Sequence, residues 1–243
     1  MYQTILLLIS LLLIAFIFSS VGHGGASGYL AMMAIFGVAP AFMKSSALVL
    51  NVFVSAIAFV QFYNQGHFKW KLFVAVALLS VPAAYFGATI PLSDAVYKKL
   101  LGVVLLFPII RLFGLFGGLD GGSKPFLWHY AIAIGTAIGL LSGMIGIGGG
   151  IILSPIILML GWTNQKEAAA ISAPFIFVNS IAGILALVGK PDSFSPMVFP
   201  WVFVGVIGGL MGSYLGSKLY SNATMNKVLG VVLLIASLKL IIS

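Results

Sequence analysis

Ser142-Gly-Met-Ile-Gly-Ile-Gly-Gly-Gly-Ile-Ile-Leu-Ser-Pro155 decides how this chain is read. Five glycines fall in it, at positions 143, 146, 148, 149 and 150, and long apolar segments lie on either side. Glycine costs about 1 kcal/mol relative to alanine in a helix interior, so four glycines within five residues predict a broken helix. Lipid offers no hydrogen-bond partner, so such a break must be buried in protein or line a cavity. A second helix is expected to restart near Gly150. Its first amides have no partner inside the helix, and with the aligned peptide dipoles they form a site for an anion. Close packing is the competing explanation, because small residues let membrane helices approach one another. Packing needs small residues three or four apart, as at Gly205, Gly208, Gly209, Gly212 and Gly216, whereas Gly148-Gly-Gly150 is a continuous run.

Composition sets the surroundings of the break. Of 243 residues, 61% are hydrophobic and 7% charged, against about 25% charged in a soluble domain. The chain is therefore read as an all-α polytopic membrane protein, with Leu6 to Phe18 inside a first membrane helix rather than a cleavable leader. The expected location is a bacterial inner membrane, crossed several times, with lipid as a partner. A homodimer is among the assemblies the sequence allows. There is no cysteine and only three histidines, at 23, 67 and 129. No metal site and no cofactor are expected. No buried acid pair and no Ser/His/Asp arrangement suggests an enzyme.

The net charge of +8 does not point to nucleic acid, because the lysines lie mostly in short connections between apolar runs, where membrane-protein charge bias puts them. The four acids, Asp94, Asp120, Glu167 and Asp192, all sit in expected loops or at helix ends. Proton pumps and cation carriers usually keep a carboxylate inside a membrane segment. Its absence favours a small anionic substrate.

The rest of the chain repeats this plan. Tyr2 to Ser20 is an expected helix, followed by a second glycine-rich break, Val21-Gly-His-Gly-Gly-Ala-Ser-Gly28. A short apolar piece, Tyr29 to Val38, is too short to cross the roughly 20 residues of a bilayer core, and Pro40 is expected to end it. Helices are then expected at Lys44 to Asn64, Leu72 to Ile90 and Asp94 to Phe113. Gly114 to Pro125, with five glycines, reads as a linker between an N-terminal repeat (1–113) and a C-terminal repeat (126–243). Ser93 to Leu106 aligns without gaps to Ser221 to Leu234 with nine of fourteen positions identical, at an offset of 128. Asn51 and Asn179 share that offset. Each half holds four to five helices, one of them broken by glycine and followed by a short half-helix. Whether the halves are inverted or parallel stays open. Inverted halves are favoured because they bring both breaks to one midplane, a transporter pattern.

The candidate substrate site follows. His23, Gly24, Gly25 and Ser27 belong to the first break, and Gly148, Gly149, Gly150 and Ser154 to the second. Asn51, Ser172 and Asn179 supply polar groups from the helices that follow. Each has an ordinary alternative: an interhelical hydrogen bond for the amides and hydroxyls, and a local role for His23, which has no counterpart in the second break.

At these residues the chain resembles the TauE/SafE, or sulfite exporter, family of membrane transporters. The run Gly143-x-x-Gly-x-Gly-Gly-Gly-x-x-x-x-Pro155 is similar to that family's hallmark, and Gly161, Ala168 to Ala170 and Asn179 match as well. Pro40, Asn51, Gly66-His-Phe-Lys-Trp70 and Val81-Pro-Ala-Ala84 resemble a common subgroup. The first break departs from the hallmark, with Gly22-His-Gly-Gly-Ala in place of a full glycine run. The resemblance implies a secondary transporter, with export as the expected direction, for small sulfur-containing anions such as sulfite or organosulfonates. A passive anion channel and a membrane scaffold are the alternatives.

Overall fold

The computed structural model describes residues 2–20, 23–112, 124–189, 194, 196–218 and 223–242. Eleven helices are described: α1 (Tyr2–Ser20), α2 (Ala26–Ile35), α3 (Pro40–Tyr63), α4 (Trp70–Ala77), α5 (Ser80–Thr89), α6 (Asp94–Leu112), α7 (Trp128–Ile145), α8 (Gly150–Met159), α9 (Gln165–Leu187), α10 (Val198–Lys218) and α11 (Ala223–Ile242). No strand occurs among the described residues. Val21 and Gly22 of the first break, and the expected linker up to Ser123, lie outside the described residues.

Six spans among the described residues are long and apolar enough to cross a membrane, with α4 and α5 counting together as one of 20 residues. The exterior is apolar: Phe199, Phe203, Phe86 and Leu185 all point outward. The interior holds the polar groups, among them His23, Asn51, Asn179 and a dozen or so hydroxyls, all buried. A soluble protein keeps exposed apolar patches small. This distribution is that of a multi-pass integral membrane protein.

Two expectations change in detail. The single helix expected over 72–90 is two helices, interrupted at Leu78 and Leu79. Pro82 explains the interruption: it has no N–H for the carbonyl of Leu78 four residues back, and its ring crowds that carbonyl. Pro40 does not merely end the short piece before it. It begins α3 at the first helical position, where a missing N–H costs nothing.

The helices α3 and α9 pack against each other at the centre. Around them, α7 lies on α4 and α5, and α1 lies on α10. Both contacts are seams of glycine against main chain. A Cβ on Gly135, Gly139 or Gly143 of α7 would run into the carbonyl oxygens of Val76, Ser80 and Ala84 in turn. On α10, Gly208 and Gly212 meet the carbonyls of Leu12 and Phe16 in the same way. The matched order of the contacts shows that the two helices of each seam run in the same sense. The spaced glycines of α10 thus serve packing, as their spacing indicates.

Charged residues finish helix ends. Asn164 and Glu167 form a capping box on α9, with Glu167 N–H donating to Asn164 Oδ1 at 3.0 Å and Asn164 N–H to Glu167 Oε2 at 2.9 Å. Lys69 reaches the same carboxylate at 2.8 Å. At the far end of α2, Lys239 Nζ donates to the carbonyls of Ala34 and Ile35, each at 2.9 Å. A cation there offsets the negative pole of α2.

Candidate functional site

Two glycine breaks meet in the interior. The second opens where α7 ends at Gly146 with φ of +90° and α8 begins after Gly149 with φ of +80°. Only glycine enters this left-handed region without strain. The first opens before α2, whose preceding residue Gly25 has φ of +88°. Neither α2 nor α8 has a side-chain cap. Among the described residues, no hydrogen bond is formed by the N–H groups of Gly148, Gly149 and Gly150, nor by those of Gly24, Gly25 and Ala26. Two helix N-termini are therefore left without side-chain caps.

Asn51 of α3 and Ile176 of α9 stand between the breaks. A Cβ built on Gly24 would lie 3.0 Å from Asn51 Oδ1 and 3.0 Å from Ile176 Cγ2. One built on Gly148 would lie 2.9 Å from Asn51 Nδ2 and 2.7 Å from the same Ile176 methyl. One methyl group thus touches both breaks. Asn51 Nδ2 donates to the carbonyl of Ile147 at 3.2 Å, so α3 holds the second break directly. The other face of that amide, Oδ1, has no partner among the described residues.

A polar chain also joins the breaks. His23 Nε2 and Ser154 Oγ are 3.0 Å apart, and Ser154 Oγ and Ser172 Oγ are 2.6 Å apart. His23 comes from the first break, Ser154 from the helix after the second, and Ser172 from α9; all three are buried. Gly150 lies against Ile176 and the carbonyl of Ser172.

The remaining candidates are placed differently. Gly149 faces Ile138 and Phe175 rather than Asn51. Ser27 is buried and its hydroxyl has no partner among the described residues. Asn179 does not mirror Asn51: its Oδ1 accepts from Ser80 Oγ at 2.9 Å, which ties α9 to α5, and its Nδ2 has no partner among the described residues. The shared offset therefore places two amides whose free faces are opposite, an acceptor on Asn51 and a donor on Asn179.

Several neighbours have no strong signal in the sequence. Ser55 lies one turn after Asn51 and beside Gly24, and Ser180 Oγ would be 3.1 Å from a Cβ on Gly148. Both hydroxyls are buried and have no partner among the described residues. The one-turn spacing of Ser55 from Asn51 could have revealed it. Ile176 could not be distinguished from any other apolar helix residue. A buried polar group left unpaired costs about 1–3 kcal/mol, and several such groups lie around the two helix ends. Among the described residues, no group of His, Asp or Glu could hold a metal ion.

Comparison with known proteins agrees with this architecture. Residues 7–240 match the family described as Sulfite exporter TauE/SafE. A probable membrane transporter protein of Sinorhizobium fredii is 35% identical over 210 residues, covering 82% of each chain. A probable membrane transporter protein of Methanocaldococcus jannaschii is 27% identical over 203 residues, covering 76% of this chain and 74% of the relative. No solved structure matches. With nearly its whole length matched, and with two glycine-broken helices at its centre, the chain belongs to the sulfite exporter TauE/SafE family of membrane transporters.

Proposed function

We propose that the protein is a secondary transporter of a small sulfur-containing oxyanion, of the sulfite or organosulfonate type, working in the export direction. The observation that carries this reading is the meeting of two uncapped helix N-termini at Asn51 and Ile176. The positive ends of two helix dipoles and a set of neutral donors then face one small volume, which suits a negative charge. The buried polar residues include no carboxylate and no lysine or arginine among the described residues. A bound anion would meet donors without a counter-charge that holds it permanently. The family's name supplies the sulfur chemistry. The two repeats, 1–113 and 126–243, fit the inverted arrangement in which each half brings one break to the midplane.

Purified protein in proteoliposomes tests the reading. Saturable flux of sulfite or sulfoacetate, with sulfate as a comparison, is the expected result. Absence of flux for every anion would overturn it, and a conductance that does not saturate would replace the carrier with a channel.

A further inference from the structure

We propose that the Tyr29 hydroxyl is a substrate-binding group of the first break. This rests on the transporter reading above and adds a residue to it. Tyr29 lies in the first turns of α2, four residues after Gly25. Helical side chains lean toward the N-terminus of their own helix, so a large side chain at this position is carried back over the helix opening. The structure shows that placement. A Cβ on Gly25 would lie 2.7 Å from Tyr29 Cζ and 2.8 Å from its Oη. Gly25 must therefore be glycine twice over, for its φ of +88° and for the phenol that covers it.

Tyr29 is fully buried, yet its hydroxyl has no partner among the described residues. Buried tyrosine hydroxyls usually find one. Among the described residues, the other deeply buried tyrosine does: Tyr97 Oη donates to the carbonyl of Ile145 at 2.9 Å, at the end of α7. The two tyrosines thus divide the roles. Tyr97 fastens the approach to the second break, and Tyr29 holds a spare donor at the mouth of the first. A neutral O–H beside unpaired amides suits an oxyanion, to which hydrogen bonds are stronger than between neutral groups. It also compensates for the missing glycines of the first break, by adding a side-chain donor where the second break has a longer run of main-chain amides.

Tyr29→Phe and Tyr97→Phe, each measured for sulfite flux and for thermal midpoint, test the proposal. Tyr29→Phe is expected to raise KM about tenfold while the midpoint stays level or rises, because an unpaired buried hydroxyl is removed. Tyr97→Phe is expected to lower the midpoint with KM within twofold. A merely structural Tyr29 would show no change in KM, and that result with an active wild type overturns this proposal alone. A wild type without flux of any anion overturns the transporter reading and this one with it.

Discussion

Replacing Gly148 by alanine measures how much of the second break is needed as glycine. Its φ is +76°, where a side chain costs about 1–2 kcal/mol. The new methyl would meet Ile176 Cγ2 at 2.7 Å, Asn51 Nδ2 at 2.9 Å and Ser180 Oγ at 3.1 Å. Moving the Asn51 amide breaks its hydrogen bond to Ile147 and strands a buried carbonyl, a further loss of about 1–3 kcal/mol. The sum is about 2–5 kcal/mol. Gly37 provides the control: its φ is +74°, but no atom lies within 4 Å of a Cβ there. Gly37→Ala therefore carries the backbone strain alone, about 1–2 kcal/mol. The assays are thermal unfolding in detergent and anion flux in proteoliposomes, read below the midpoint of the weaker variant. Gly37→Ala should lower the midpoint slightly and leave flux intact. Gly148→Ala should lower it further and reduce flux at least about tenfold, the equivalent of 1.4 kcal/mol. Equal behaviour of the two variants in both assays would refute the idea that the second break faces the transported solute.

Other variants probe separate parts of the structure. Gly143→Ala drives a methyl into the Ala84 carbonyl, so it should destabilise by about 3 kcal/mol or more, seen as a large drop in thermal midpoint or loss of detergent-stable protein. Ser154→Ala removes both its contacts, to His23 and Ser172, and should cost about 1–3 kcal/mol of stability, measured in the same way. Asn179→Ala removes an unpartnered donor while releasing Ser80. It should weaken anion affinity about fivefold, one hydrogen bond's worth, in a saturation curve of flux. Glu167→Ala keeps the Asn164 cap but loses the reciprocal half of the capping box and the ion pair to Lys69, and should cost about 1 kcal/mol. Lys69→Ala loses a partly exposed ion pair to Glu167 and a long 3.3 Å hydrogen bond to the Trp162 carbonyl and should cost less than that, which parallel melts would separate.

The two breaks, the short helices after them and most helix limits were legible, because glycine runs and apolar stretches are strong local signals. What sequence could not supply is which side chains from distant helices fill the gap between the breaks. Ile176 is one apolar residue among many, and only the fold brings its methyl against Gly24 and Gly148. Asn51 and Asn179 look equivalent at an offset of 128, yet Ser80 occupies one face of Asn179 and the Ile147 carbonyl engages the opposite face of Asn51. Hydrogen-bond direction depends on tertiary neighbours, which an offset does not encode. The split of the span over 70–89 was foreshadowed by Pro82, whose effect falls four residues upstream of itself.

The contact between α7 and the α4–α5 pair, and that between α10 and α1, have a mechanical consequence. Backbone resting on backbone leaves no layer of flexible side chains to absorb slippage, so neither pair can shear by small increments as looser helices do. Each pair travels as a unit in any motion that keeps it intact. Alternating exposure of the centre to the two faces of the membrane then falls to the joint between α3 and α9, whose own contact includes a longer side chain, Leu48 of α3 against Gly183 of α9. Cross-linking α3 to α9 should arrest turnover, whereas cross-linking α1 to α10 should leave it running.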